Sequence, residues 1–326
     1  MKKISILIPQ GPSSLSNIEG TYQILSQVND FCDTMDRPRA FEISLVGLTK
    51  EASQRNGVFT IKPDLLIDEV EHTDLIIIPA MFGTHEEALE LNKNFIPWLI
   101  KQNKQGAEIA SYCIGAFFLA STGLLDGKAC STHWIHANDF RNLYPHVNLV
   151  DDKIMTEADG IYTSGGAYSF LNLLIYLVEK YCGREMAVLI AKTFTIDIDR
   201  RSQSPFTIFK GQKLHEDDTI RKAQDFIEAN YQDKITVDQL ATYLCLGRRN
   251  LERRFRKATS NTVAEYIQRV KMEAAKMSLE SSHENVNEVM YKVGYIDNKA
   301  FRSTFKKVTG LSPLQYRNKF NRMIAV

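Results

Sequence analysis

Several patterns are missing from this chain. Its five cysteines, at 32, 113, 130, 182 and 245, are odd in number, scattered and never spaced C-x2-C. That argues against a disulfide framework and against a cysteine zinc site. No run of about 18 apolar residues offers a membrane span, and Ile4 to Ile8, behind Lys2-Lys3, is too short for a secretory apolar core and stops at Pro9. The expectation is a cytoplasmic protein with reduced thiols and no membrane partner. Net charge is nearly absent as well, at +1, but the balance hides a division. From Thr219 onward 20 Lys+Arg stand against 11 Asp+Glu, a surplus of +9, while the rest of the chain holds 20 against 28, or −8. The basic tail suits a polyanion; the acidic front does not. A length of 326 residues with 44% hydrophobic content fits two domains with ordinary cores.

The tail is organised around Cys245 to Lys257. At about 100° per residue, Leu251, Phe255 and Ala258 fall on one stripe of a helix, and Arg249, Arg253, Arg256 and Lys257 fall on the opposite face. Upstream, Val237, Leu240, Ala241 and Leu244 form a shorter amphipathic helix, and Leu246-Gly247 supplies the break between the two. This spacing predicts a helix-turn-helix; the plainer alternative is a solvated charged helix in a bundle. The pattern then recurs. Leu251, Phe255, Arg256, Lys257, Thr259, Thr262 and Tyr266 return as Phe301, Phe305, Lys306, Lys307, Thr309, Ser312 and Tyr316, while Leu240 and Leu244 return as Val289 and Val293, so the second turn carries one extra residue. A repeat that keeps both its apolar and its basic face is hard to obtain from a generic bundle.

The residues from Ile220 to Phe320 closely resemble the AraC/XylS family of transcription regulators. The motifs are Leu240-Ala241, Leu251-x-Arg253-x-Phe255-Arg256, Lys271-x3-Ala275, Val293-Gly294-Tyr295-x-Asp297, Phe301-x3-Phe305-Lys306-Lys307 and Gly310-x-Ser312-Pro313-x2-Tyr316-Arg317. The chain departs from that pattern with Arg248 where a Ser usually caps the first recognition helix, Met290 for Ala and Ser260 for the first Gly. The resemblance implies recognition helices at 248–258 and 298–308 in successive major-groove segments of double-stranded DNA, joined by a long helix from about Ala264 to Leu279, with Ile267, Met272, Ala275 and Leu279 buried against both units. Asp297 is expected to cap the second recognition helix. The expected DNA-binding residues are Arg248, Arg249, Asn250, Arg253, Arg256, Lys257, Asn298, Lys299, Arg302, Ser303, Lys306 and Lys307. Arg249, Asn250, Arg253, Asn298, Lys299 and Ser303 are assigned to base edges, and Arg256, Lys257, Lys306 and Lys307 to phosphates.

In the front half, short apolar runs alternate with helical patterns. Ile4 to Ile8, Phe41 to Val46, Leu75 to Ile78 and Glu108 to Tyr112 read as buried strands; Thr21 to Phe31, Glu86 to Gln102 and Gly115 to Thr122 read as helices. The alternation predicts an α/β domain, a flavodoxin-like parallel sheet with helices on both faces, whose ligands bind at the carboxyl ends of the strands. Cys113 stands there, directly before Ile114-Gly115-Ala116, where a helix starts. A thiol facing the positive end of a helix is expected to be shifted toward the thiolate.

Residues 2–191 resemble the ThiJ/PfpI group of the class I glutamine amidotransferase-like superfamily. The motifs are Ile78-Pro79-Ala80-Met81-Phe82-Gly83, Ser111-Tyr112-Cys113-Ile114-Gly115-Ala116-Phe117-Phe118-Leu119-Ala120, Gly123-Leu124-Leu125-Asp126-Gly127-Lys128, Thr132-His133-Trp134 and Thr163-Ser164-Gly165-Gly166. Such a domain ahead of an AraC-type tail is similar to the GlxA-type subgroup of regulators, and Gln203-x-Pro205-Phe206 and His215-x-Asp217 agree with that subgroup. Enzymes of the superfamily place a carboxylate against the elbow cysteine and a histidine after the following strand. His133 matches the histidine, but Asn17 stands at the carboxylate position and Asn172 replaces a further aspartate. An amide is no general base. The expectation is therefore no enzyme and no catalytic residues, with Cys113 and His133 a vestigial or sensing elbow, and a small-molecule effector held by Asn17, Gly83, Cys113, Ile114 and His133. The resemblance implies nitrogenous metabolites as effectors.

His133-x2-His136 lacks a third metal ligand, and the Ser-rich loop between Gly11 and Gly20 lacks the phosphate-binding glycine spacings. Phe117, Phe118 and Tyr22 read as core residues, and neither a metal nor a cofactor is expected. The sequence divides into a sensor domain at 1–196, a linker at 197–218 and a DNA-binding domain at 219–322. Its predicted role is a sequence-specific DNA-binding transcription regulator, a homodimer controlled by a metabolite. The competing readings are a cysteine-dependent hydrolase or deglycase at Cys113 and a basic tail that binds RNA or an acidic partner.

Overall fold

The computed structural model describes residues 1–213 and 215–321, so Arg322, the last residue of the expected DNA-binding domain, lies outside the described residues. The chain forms two compact units, Met1–Gln203 and Ser204–Val326. The first runs β1 (Lys2–Ile8), α1 (Leu15–Thr34), β2 (Phe41–Gly47), β3 (Ala52–Gln54), β4 (Phe59–Ile61), β5 (Leu65–Leu66), β6 (Leu75–Ile78), α2 (His85–Asn92), α3 (Phe95–Lys104), β7 (Glu108–Tyr112) and α4 (Gly115–Ala120). It continues through β8 (Ala129–Cys130), α5 (Ala137–Leu143), β9 (Asn148–Leu149), β10 (Met155–Ala158), β11 (Ile161–Ser164), α6 (Phe170–Cys182) and α7 (Arg184–Thr193).

The apolar runs are strands because both faces are covered, and alternation sorts their residues between two cores. Ile4, Ile6 and Ile8 of β1, Leu75 and Ile77 of β6, and Ala110 and Tyr112 of β7 pack with α1, α6 and α7 on one face. Leu7, Ile76, Ile78 and Ile109 pack with α3 and α4 on the other. The main sheet has the order β10-β11-β7-β6-β1-β2-β5. Because β2 lies on one side of β1 and β6 on the other, the switch point falls between the carboxyl ends of β1 and β6, where ligands of such sheets bind.

Three expectations need correction here. The sheet is not wholly parallel, since β10 pairs antiparallel to β11 at an edge. The hairpin turns through Asp159 and Gly160, both at positive φ, and an Asp-Gly pair between alternating strands is the signal that could have revealed it. The single helix expected over 86–102 is broken between α2 and α3, so that Pro97 falls in the first turn of α3, where its missing N–H costs nothing. Tyr22, read as core, is 45% exposed.

The second unit contains α8 (Asp218–Ala229), α9 (Val237–Tyr243), α10 (Arg248–Thr259), α11 (Val263–Ser281), α12 (Val286–Lys292), α13 (Asn298–Thr309) and α14 (Pro313–Phe320). The long helix α11 joins two cores. Val263, Tyr266 and Val270 enter the first, with Leu251 and Phe255, and Ile267 is partly buried against it. Met272, Ala275 and Leu279 enter the second, with Phe301, Phe305 and Tyr316. The start of this unit is not a free tether. Phe206 meets Phe320 edge to face, the Phe209 amide donates to the Glu273 carboxylate at 3.0 Å, and Lys213 pairs with Asp225 and Glu228.

Candidate functional sites

Cys113 sits at the end of β7 with φ +55, in the left-handed conformation that a sharp strand-to-helix elbow imposes. Its amide donates to Ser164 O (2.9 Å), and its carbonyl accepts from Thr132 Oγ1 (2.9 Å). The expected activated thiolate is not found. Cys113 is 5% exposed, and burial pushes its thiol up to about 11, only partly offset by a backbone hydrogen bond from Ile114. The helix behind it, α4, has six residues. A dipole that short does not outweigh the desolvation of a buried anion.

His133 and Asn17, the two residues expected beside the thiol, are both engaged elsewhere. His133 Nδ1 accepts from the Ile135 amide at 3.2 Å, capping the 3-10 turn Trp134–His136. That bond places the proton of the neutral ring on Nε2, which then donates instead of accepting. Burial, and secondarily the neighbouring His136, holds the His133 pKa below its ordinary value. Asn17 is buried, and its Oδ1 accepts from the Ala80 amide at 3.1 Å, which staples α1 to the end of β6. Next to it Ser14 N donates to Ala80 O and Phe82 N to Pro12 O, so the loops after β1 and β6 are zipped across the switch point.

A cavity of about 480 Å³ opens beside the elbow, lined by Gly83, Ile114, Phe117, His85, Glu86, His136 and Asp139, among others. Of the five expected ligand residues, Gly83 and Ile114 line it; Asn17, Cys113 and His133 do not. In their place stand residues that sequence reasoning passed over. His85 hydrogen-bonds Tyr144 Oη at 2.7 Å and stacks against Phe117, with ring centroids 5.5 Å apart. Burial lowers the His85 pKa. Phe117 had been read as core; it is core and cavity wall at once. No spacing signal marks His85, because the loop after β6 delivers it to Tyr144, which lies far along the chain. Among the described residues, no group of three His, Cys, Asp or Glu side chains is placed to hold a metal ion.

In the second unit, residues 251–260 and 301–310 have the same burial residue for residue: Leu251, Phe255 and Thr259 are buried, as are Phe301, Phe305 and Thr309, and the positions between them are exposed or half-buried in the same order. All twelve expected DNA-binding side chains are exposed. Arg248 bridges Asp238 (3.1 Å) and Glu252 (3.2 Å), Arg253 donates to Asn250 Oδ1 (3.0 Å), and Arg302 donates to Asn298 Oδ1 (2.5 Å). Arg254, the one arginine of α10 outside the expected set, is half-buried and forks onto Asp217, the N-cap of α8. Its role is to fix the helix.

The turns differ in detail from the sequence reading. Residues 244–247 join α9 to α10 and residues 293–297 join α12 to α13, so the extra residue is present. The break in the first turn is made by Cys245 at φ +53, not by Leu246-Gly247. Gly247 is the N-cap of α10, without a side-chain bond, and Arg248 is the first helical residue. The Asp297 carboxylate caps α13, accepting from Ala300 N at 2.8 Å as expected.

Comparison with known proteins gives two family matches: the DJ-1/PfpI family over residues 3–180 and a helix-turn-helix domain over residues 240–319. The chain is 24% identical to the HTH-type transcriptional regulator GbdR of Pseudomonas aeruginosa over 79% of its own length and 69% of that protein. It is 22% identical to the HTH-type transcriptional regulator GlxA of Rhizobium meliloti over 68% of each. Among solved structures, an AraC family transcriptional regulator from Pseudomonas putida aligns over 60% of this chain and 100% of its own, at 16% identity and a TM-score of 0.50. A ThiJ/PfpI family protein from Pseudomonas syringae aligns over 61% of this chain and 76% of its own, at 15% identity and a TM-score of 0.51. At these identities the structures speak for the fold alone.

Proposed function

The chain belongs to the DJ-1/PfpI family and carries an AraC-type helix-turn-helix domain behind it, which makes it a DNA-binding transcription regulator, and we propose that its front unit holds a small effector without turning it over. The observation that carries this reading is the burial of Cys113, which pushes its thiol up to about 11, together with a His133 whose Nδ1 is taken by the Ile135 amide. A nucleophile in that state is inert at neutral pH. The effector site is the cavity at the strand ends that Gly83 and Ile114 line, with the Cys113 elbow directly behind it.

On the DNA side, Arg249, Asn250, Arg253, Asn298, Lys299 and Ser303 read base edges, while Arg256, Lys257, Lys306 and Lys307 hold phosphates, with Arg248 at the start of α10 and Arg302 one turn into α13. The two recognition helices enter successive major-groove segments about 34 Å apart. A cytoplasmic homodimer formed through the front unit reads repeated sites. Effector and operator are then linked reciprocally, each changing the affinity for the other by the same factor.

Cys113→Ala tests the reading. The variant should keep its fold and basal operator affinity while its effector response changes, and a thiol-reactive probe should label Cys113 of the parent slowly at neutral pH, with a rate that keeps climbing above pH 9. Amide hydrolysis or deglycation by the purified parent, abolished by Cys113→Ala, would replace the sensor with an enzyme.

A further inference from the structure

The end of the first unit is a strap. Lys153 and Ser202 form an antiparallel bridge, Ile154 N donates to Arg201 O (3.3 Å) and Gln203 N to Asp152 O (3.0 Å), and Ser202 Oγ donates to the same Asp152 carbonyl (2.8 Å). Gln203 is 1% exposed. Its Nε2 donates to Thr132 O (3.0 Å) and Asp151 O (2.8 Å). The carboxamide lies so close over the backbone of Gly165 that a Cβ there would meet its atoms at 2.6 to 2.7 Å.

This niche adjoins the elbow. Thr132 spends its carbonyl on Gln203 and its hydroxyl on Cys113 O; Ser164, the neighbour of Gly165, accepts from Cys113 N. Neither Thr132, Asp151, Gly165 nor Gln203 lines the cavity beside Gly83, so the niche is a separate place. The hydroxyls of Ser164 and Ser169, on either side of the Gly165-Gly166 turn, are buried without a hydrogen-bond partner. The surroundings of the plug are thus polar and incompletely satisfied. Ser204, the next residue, begins the second unit.

We propose that Gln203 is a releasable latch: its carboxamide plugs the niche formed by Thr132 O, Asp151 O and the Gly165 backbone, and its withdrawal frees the strap that leads into the DNA-binding unit. The plug is neutral, and the hydrogen bonds of its Nε2 to Thr132 O and Asp151 O are exchangeable contacts of modest net strength each. A strap with one bridge opens locally at far lower cost than the core strands. A shift of the Cys113 peptide reaches the plug through the single residue Thr132. The latch goes beyond effector sensing and needs no effector to operate.

The test is trypsin cleavage at Arg200 and Arg201 in the full chain, for the parent, Gln203→Ala, Gly165→Ala and the double variant. Cleavage of a locally opened segment tracks its open population, and each single change is expected to raise the rate about tenfold. The double variant should be cut no faster than the quicker single, because both changes remove one contact. The atoms nearest to a Gly165→Ala methyl are those at the far end of the Gln203 side chain and not backbone, so this variant is expected to keep the first unit folded and decides the matter if Gln203→Ala is cut throughout. Acetamide, the fragment deleted in Gln203→Ala, should raise the unfolding temperature of that variant but not of the parent or of the double variant, whose added methyl fills the niche. Parent-like cleavage of Gly165→Ala, additive rates in the double variant, or equal acetamide shifts in all three proteins would overturn the latch. None of these readouts involves DNA or effector, so their failure leaves the sensor reading standing.

Discussion

The two helix-turn-helix copies bury the same positions, yet their turns live in different surroundings. In the first, Cys245 adopts the left-handed conformation in the open, and its thiol is exposed. In the second, Gly294 takes φ +71 directly under the loop between α8 and α9, where a Cβ would come within 2.0 Å of Gln232 O. Lys271, buried on α11, donates to Asp233 O (3.2 Å) and Val293 O (3.1 Å) and ties that loop to the same turn. Its pKa is lowered by burial. A tandem repeat has an inner and an outer end. The second turn docks on the first copy while Cys245 of the first turn stays exposed, so one sequence pattern meets two sets of constraints.

The strongest way to break this asymmetry is Gly294→Ala. Strain at positive φ adds to a collision with backbone, and the second unit should lose about 3 kcal/mol or more, whereas Cys245→Ala should stay within about 0.5 kcal/mol. Urea unfolding of the full chain, followed by a probe in the second unit, measures both; similar losses would mean the turns are equivalent.

The DNA contacts provide the next contrast. Arg253→Ala should cost about 1–3 kcal/mol of discrimination in one half-site, while Lys306→Ala should weaken all duplexes alike and reduce the salt slope by about one unit. Titrations at several salt concentrations with specific and scrambled duplexes separate the two effects. If both variants bound the specific site as the parent does, the recognition face would be misassigned.

Capping gives the smallest difference. Asp297→Ala removes a made bond at the start of α13 and should cost about 1 kcal/mol, while Gly247→Ser at the uncapped start of α10 should add a few tenths of a kcal/mol. Thermal unfolding that moved in the same direction for both would show that the caps do not distinguish the copies.

Much of this was legible in the residues because it is local. The stripe of Leu251 and Phe255 fixes a helix wherever it occurs, the alternation in Ile4 to Ile8 fixes a strand with two covered faces, and Asp297 caps the helix that follows it. The tandem architecture followed from seeing the pattern twice. The α2–α3 break and the β10–β11 hairpin were equally local; Pro97 and Asp159-Gly160 announced them.

The state of the elbow was not local. The sequence placed Cys113 before a helix and thereby favoured a thiolate; the folded chain buried it and raised its pKa instead. His133 could be aligned as a base, but only the turn at Ile135 decides which ring nitrogen carries the proton. The hydrogen bond that His85 of the cavity wall makes to Tyr144 spans 59 residues of chain, and the Gln203 plug reaches Thr132 across 71. Periodicity and capping chemistry are set by neighbours along the chain, so the sequence by itself determined the elements and their repeat. Desolvation and hydrogen-bond partnership depend on whatever the fold brings alongside, so the charge state of the thiol, the lining of the cavity and the seat of Gln203 were decided by tertiary structure alone.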